Sequence, residues 1–193
     1  MPRIIVTENV SLDGVMQAPG RPDEDTRDGF TRGGWAVPYN DPVMGRKMGE
    51  GMASTGALLL GRRTWADFAG YWPRQTGNPF TPVLDALPKH VASTTLDEPL
   101  PWVNSHLLKG DVNEAVRELK AQPGPDVAVL GSGELVRSLR RHGLVDAYVL
   151  LVHPVVLGGG RRLFEPGDEP GELRLTDSVT TTTGVVIARY EPA

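Results

Sequence analysis

The sequence contains no cysteine. Disulfide frameworks, thiolate zinc sites and cysteine nucleophiles are therefore all excluded. Histidine is nearly as scarce: His90, His106, His142 and His153 lie far apart and never form an HExxH-type pair, so no metal site is expected. Positive charge is not in excess either. With 20 Lys and Arg against 24 Asp and Glu, the formal net charge is -4 and the pI about 5.6. That balance argues against a general nucleic-acid binder, which needs a basic surface to neutralise phosphates. Long apolar runs are also missing: Ile4-Ile5-Val6 passes at once into Thr7, Glu8 and Asn9, too short for a signal-peptide core or a membrane span. The expectation is a cytoplasmic protein with no membrane partner. No linker, repeat or low-complexity stretch interrupts the 193 residues, a length that suits one hydrophobic core, so 1–193 is expected to be a single domain.

What is present is an alternation of short apolar runs and amphipathic segments. Ile4 to Thr7 reads as a buried strand leading to the turn-forming Ser11-Leu12-Asp13-Gly14. A long segment from Pro19 to Asn40, rich in Gly, Pro, Asp and Arg, has the character of a lid or binding loop. Asp41 and Pro42 fit the N-cap and first position of a helix whose Met44, Met48 and Met52 fall on one face. Ala57 to Leu60 reads as a strand ending at Gly61, with a helix opening at Arg62-Arg63-Thr64. Val127 to Leu130, Gly131-Ser132-Gly133 and the apolar positions Leu135, Val136 and Leu139 repeat that arrangement. Between the two, Val91-Ala92 is a short strand ending at Ser93-Thr94, and Asp111 with Glu114 resembles a capping box for a helix ended by Gln122-Pro123. Ala147 to Val152 is another buried strand. Leu173 to Asp177 and Val185 to Tyr190 form a terminal antiparallel hairpin. The order predicts an α/β fold with a mixed, mainly parallel sheet flanked by helices.

Several familiar sites are excluded by spacing. Ser132 has Leu130 and Glu134 where a nucleophile elbow needs glycines. Gly56 and Gly61 have the Walker separation, but Arg62 and Arg63 stand where Lys and Ser/Thr are required. Gly131-Ser132-Gly133 opens like a dinucleotide fingerprint with Val136 in place of its third glycine. The combination says more than each part. Two glycine turns deliver backbone N–H groups at helix N-termini, where the dipole favours phosphate, and one of them carries two arginines. A bridging pyrophosphate suits the turns, a ribose 2′-phosphate suits the arginines, and NADPH has both. Gly133 is expected where backbone passes close to the pyrophosphate or adopts a positive φ.

These residues carry a resemblance. Gly61-Arg62-Arg63-Thr64-Trp65 is similar to the Gly-Arg-x-Thr-Trp segment of dihydrofolate reductases. Ser11-Leu12-Asp13-Gly14, Gly143-Leu144-Val145-Asp146 and Pro154-Val155-Val156-Leu157-Gly158-Gly159 resemble the C-terminal reductase domain of the bifunctional riboflavin-biosynthesis deaminase/reductase. The resemblance implies a dihydrofolate reductase-like three-layer α/β/α sandwich binding NADPH across the strand C-termini. It assigns Gly61, Arg62, Arg63 and Thr64 to the adenosine phosphates, Ser93 and Thr94 to the adenosine side, and Gly131, Ser132, Gly133, Glu134 and Leu135 to the pyrophosphate. Backbone groups of Asn9 would meet the nicotinamide amide. Asp13 would belong to a flexible loop over the active site, and Trp35, Tyr39 and Met48 would line the substrate pocket.

Two departures bear on the substrate. Met44 and Met48 occupy the inward face of the helix where dihydrofolate reductases carry a carboxylate, and Leu130 stands where the riboflavin-pathway domain has an acidic residue. The expected activity is hydride transfer from NADPH to a small pyrimidine- or pterin-like molecule, in the manner of a 5-amino-6-(5-phosphoribosylamino)uracil reductase. No side chain is named as proton donor, a role left to water. An NADP(H)-binding regulatory module without turnover and a true dihydrofolate reductase remain as alternatives. The same resemblance, with the apolar C-terminal strands, implies a homodimer.

Overall fold

The computed structural model describes residues 1–193. Eight strands form one sheet: β1 (Ile4–Ser11), β2 (Thr55–Gly61), β3 (Lys89–Ala92), β4 (Ser105–Leu108), β5 (Asp126–Leu130), β6 (Ala147–His153), β7 (Leu173–Thr180) and β8 (Val186–Pro192). Their order is β4-β3-β2-β5-β1-β6-β8-β7. The first six strands run parallel, β8 is antiparallel to β6, and β7 pairs antiparallel with β8 at the edge. Five helices accompany them: α1 (Pro42–Ser54), α2 (Arg62–Tyr71), α3 (Phe80–Ala86), α4 (Val112–Ala121) and α5 (Gly133–Arg141).

Strand periodicity sends neighbouring residues to opposite faces, and the packing records it. On one face Ile4 and Val6 of β1, Leu59 of β2 and Val127 and Val129 of β5 meet Val116 of α4 and Leu135, Val136 and Leu139 of α5. On the other, Leu58 and Leu60 of β2 and Ala128 of β5 meet Trp65 of α2 and Leu84 of α3. Met44 of α1 packs on that second side against Leu151 of β6 and Ile187 of β8. The result is the expected three-layer α/β/α arrangement with a C-terminal antiparallel hairpin. No helix is long and apolar enough to cross a membrane.

Asp41 caps α1 through the Met44 N–H (2.8 Å), and its other oxygen accepts from the Thr182 hydroxyl (2.7 Å), which ties the helix to the β7–β8 turn. At α4 the expected capping box is only half made. Asp111 accepts from Asn113 and Glu114, but the Glu114 side chain pairs with exposed Arg117 instead of reaching back.

The segment after β1 has a core of its own. Val15, Ala18, Phe30, Trp35, Ala36 and Leu157 form a separate small core. Gln17 fastens it: its side chain donates to the carbonyls of Asp25 and Arg27 and accepts from Arg161 N–H, while its own carbonyl accepts from the Trp35 indole at 2.8 Å.

Candidate functional site

The C-terminal ends of β1, β2, β3 and β5 open into one cleft of about 1840 Å³. At its centre two strand-to-helix turns lie side by side, because β2 and β5 are adjacent in the sheet. Gly61 caps α2 and Ser132 caps α5, and neither helix start is satisfied by a capping side chain. This contrasts with α1 and α4, whose N-termini are closed by Asp41 and Asp111. The cleft therefore receives two sets of free helix N–H groups, the arrangement that favours phosphate.

Ser132 fastens the turns together. Its hydroxyl accepts from Gly61 N–H at 2.8 Å and lies 2.8 Å from the Thr64 hydroxyl. The contact leaves no room at Gly61, where a Cβ would stand 2.5 Å from Ser132 Oγ. Ser132 itself adopts φ +67°, and Gly131 before it +64°. Left-handed backbone is therefore found at Gly131 and Ser132, and not at Gly133, whose restriction is the Met16 sulfur 3.0 Å from a would-be Cβ.

Arg62 and Arg63 project from the first turn of α2 into the cleft, exposed and without an ion pair. Ser93 and Thr94 follow β3 on the same wall, with the Ser93 hydroxyl accepting from Thr95 and Leu96 N–H at 3.1 Å. Glu134 lies exposed at the wall, and Leu135 is anchored in the core beneath it. A strap from Pro19 to Arg27 borders the cleft. It is held to α2 by an ion pair of Arg21 with Asp67 and by the Arg21 guanidinium 4.3 Å from the centre of the Tyr71 ring. Glu24 closes its turn by accepting from the N–H groups of Gly20 and Arg21.

Deeper in, Asn9 accepts a hydrogen bond at Oδ1 from His153 Nε2 at 2.9 Å. His153 is fully buried, with Trp35 and Tyr39 edge-on to its ring at centroid distances of 5.2 and 5.5 Å. Burial lowers its pKa to about 4, so the ring is neutral, its proton on Nε2 and its Nδ1 unpartnered. Trp35 and Tyr39 pack edge-on against His153, and Tyr39 also against the Met44 and Leu151 group, next to the cleft rather than among its lining residues. Met48 does line the cleft, with Met44, Met52, Leu151 and Ile187. The only carboxylate of α1, Glu50, is at the rim, 3.6 Å from Lys47, which also faces Asp177 at 3.6 Å.

Asp13, expected in a loop over the active site, is hydrogen-bonded to the segment that follows β6. Its carboxylate accepts from Leu157 N–H (3.0 Å), the Ser11 hydroxyl (2.7 Å) and Gly158 N–H (2.8 Å). The Leu157 N–H and the Ser11 hydroxyl do most to push its pKa down to about 2, against the cost of burial.

One cleft residue had not been singled out from the sequence. Glu8 is only 5% exposed and lines the cleft, and its Oε2 has no protein partner. Burial pushes its pKa up to about 8, and Glu24 adds to the shift; the N–H groups of Gly131 and Asn9 offset it only in part. No group of three His, Asp or Glu side chains is placed to hold a metal.

Residues 2–187 match the family described as the RibD C-terminal domain. The chain is 30% identical over 196 residues to the uncharacterised Bacillus subtilis protein YyaP, covering 97% of this chain and 94% of that one. Among solved structures, a candidate riboflavin biosynthesis protein from Shewanella sp. PV-4 superposes with a TM-score of 0.68 at 21% identity, over 99% of both chains. A pyrimidine reductase-like protein from Corynebacterium diphtheriae gives 0.64 at 13% identity, over 100% of this chain and 92% of that one. The diaminohydroxyphosphoribosylaminopyrimidine deaminase/5-amino-6-(5-phosphoribosylamino)uracil reductase of Thermotoga maritima gives 0.65 at 16% identity, over 100% of this chain and 57% of that longer one.

Proposed function

The chain belongs to the RibD C-terminal domain family, and on that premise we propose that it is an NADPH-dependent reductase of a small heterocyclic molecule. The observation that carries the reading is the pair of uncapped helix starts, joined through Ser132 and flanked by two unpaired arginines, at the C-terminal edge of a parallel sheet. Open α/β sheets bind their ligands at that edge. The open cleft, at about 1840 Å³, is larger than the roughly 300–1,000 Å³ of an ordinary ligand pocket, in keeping with a site shared by a dinucleotide and a second ring.

In this reading Arg62 and Arg63 meet the 2′-phosphate, with Thr64, Ser93 and Thr94 along the adenosine. The N–H groups from Gly131 to Leu135 hold the pyrophosphate, and Asn9 meets the nicotinamide amide. Bound NADPH supplies hydride. The protein's own contribution is to orient the two rings and exclude water, with α1 and the strap as walls. His153 holds the Asn9 amide in one orientation without carrying charge. The second ring lies against Met44, Met48 and Leu151. Reduction of a C=O or C=N bond also takes one proton, which solvent supplies.

The substrate proposed is a pyrimidine- or pterin-like ring, in keeping with the names of the Corynebacterium and Thermotoga neighbours. The absence of a carboxylate on the inner face of α1 speaks against a folate. The test is NADPH binding by fluorescence, followed by NADPH oxidation against pyrimidines, pterins and quinones. Turnover with one of them is expected. Tight binding with no turnover on any would make the protein an NADP(H)-binding module, and no binding would overturn the reading.

A further inference from the structure

Glu8 has no role in the scheme above, although it is the most deeply buried acid of the cleft. Period-2 alternation places it on the face of Ile4, Val6 and Val10, opposite Thr7 and Asn9, so it points toward the side of the sheet covered by α5. There it lies beside the Gly131 turn, between the two stretches assigned above to the nicotinamide amide and the pyrophosphate. We infer that Glu8 is a neutral carboxylic acid that donates a hydrogen bond to an acceptor oxygen on the nicotinamide half of the bound dinucleotide; this rests on the proposed NADPH site.

An ionised Glu8 would lack a counter-ion: no cation is among the groups that act on its ionisation, and the unpaired Arg62 and Arg63 of the same cleft are not among them either. The cations sharing this part of the cleft wall are otherwise engaged: Arg27 with Asp25, Arg161 with Asp28 and Glu134, Arg162 with Asp13, and Arg137 facing Glu165 at 3.8 Å. The acids of the strap and of α5, Asp23, Glu24, Asp25 and Glu134, add negative charge to that wall, and Glu24 acts directly to disfavour ionisation of Glu8. A phosphate or carbonyl oxygen in the cleft would be repelled by a carboxylate and welcomed by an O–H donor. Oε2, which has no partner in the protein, is the oxygen available for this contact once the side chain turns toward the bound dinucleotide. With ionisation centred at about 8, the binding-competent form predominates at pH 7 and loses about tenfold in population for each pH unit well above 8.

The test is the Kd for NADPH between pH 7 and 9.5, a window in which the 2′-phosphate (second pKa about 6) is already fully charged. Wild type is expected to weaken about tenfold from pH 7 to 9. Glu8→Gln, which keeps an N–H donor and cannot ionise, should bind near the wild-type pH 7 value with no such decline. Glu8→Ala should bind about tenfold more weakly at pH 7, also without the decline. Lys89 also titrates near 8, from the far end of β3, and would produce the same decline in all three proteins. Wild-type binding that stays flat, or a Glu8→Gln protein that declines like wild type, overturns the inference while leaving the NADPH site intact. Failure of wild type to bind NADPH at pH 7 overturns both.

Discussion

Arg62 and Arg63 give the most direct quantitative test of the proposed cofactor. Neither has an ion-pair partner, so neither contributes to stability through one, and both occupy the first turn of α2, where Ala is at least as good a helix former. Replacing them should leave the melting temperature almost unchanged, since surface substitutions of this kind usually fall within about 0.5 kcal/mol. Binding should respond much more. A charge-assisted hydrogen bond contributes about 1.5–3 kcal/mol, and exposed side chains belong at the lower end. Loss of one arginine should then weaken NADPH about tenfold, and loss of both about a hundredfold. NADH carries a hydroxyl where NADPH has the phosphate, and its affinity should change less than about threefold.

The assay is a fluorescence titration of both nucleotides against wild type, each single Ala variant and the double, at fixed ionic strength because these charges are screened by salt. The α2 N–H groups remain in every variant and still attract phosphate, so the informative quantity is the ratio of the two affinities. A double variant that kept the wild-type ratio of NADPH to NADH affinity would refute the phosphate-binding role of both residues.

Ser132→Ala should destabilise by about 1–2 kcal/mol in denaturant unfolding, since Gly61 N–H loses its acceptor, whereas Ser132→Gly should recover about 1 kcal/mol of that by relieving left-handed strain at φ +67°; equal losses would show that the strain is not real. Asp13 is held ionised, its pKa lowered from 3.8 to about 2, so its contribution is present above pH 4 and lost as pH falls through the interval from 3.8 to about 2; acid unfolding of Asp13→Asn should lack that component, and a wild-type-like acid limb would count against the clamp on Leu157 and Gly158. The protein is expected to dimerise through β7, an edge strand with Leu173 and Leu175 exposed; sedimentation at 20.9 kDa at micromolar concentration would refute this.

The parts of the fold legible in the sequence are those whose signals are local. Ala57 to Leu60, Val127 to Leu130 and Ala147 to Val152 are apolar because both faces of a central parallel strand are covered, and Gly61 and Gly131 mark where such strands end. Elements with weak local signals escaped notice. β4 reads Ser105-His106-Leu107-Leu108, with no β-branched residue, and α3 carries Pro82 in its first turn, where a helix tolerates it but a reader sees a breaker. Glu8 was hidden for a related reason: with β1 read only as far as Thr7, the acid falls outside the strand and its inward position is not visible. Once the strand extends to Ser11, the pattern Ile4, Val6, Glu8, Val10 makes the acid conspicuous.

The site residues divide along the same line, between local and distant causes. The turns at Gly61 to Thr64 and Gly131 to Leu135, proposed for the cofactor, are legible because a glycine before a helix start is a feature of a few consecutive residues. Asp13, Trp35 and Tyr39 were assigned to the loop or the pocket, yet their positions are set by partners some 110 to 145 residues away, at His153, Leu157 and Gly158. Ser132 shows what this distance conceals. In the chain it is a serine in a failed hydrolase motif and an incomplete dinucleotide fingerprint. In the sheet, the order β2-β5 brings it against Gly61, 71 residues earlier, where its hydroxyl takes the N–H that a phosphate would otherwise meet first. The free N–H groups are therefore those beyond Gly61, in the first turn that carries Arg62 and Arg63. Strand order thus aligns backbone donors and guanidinium charge on the same stretch of cleft.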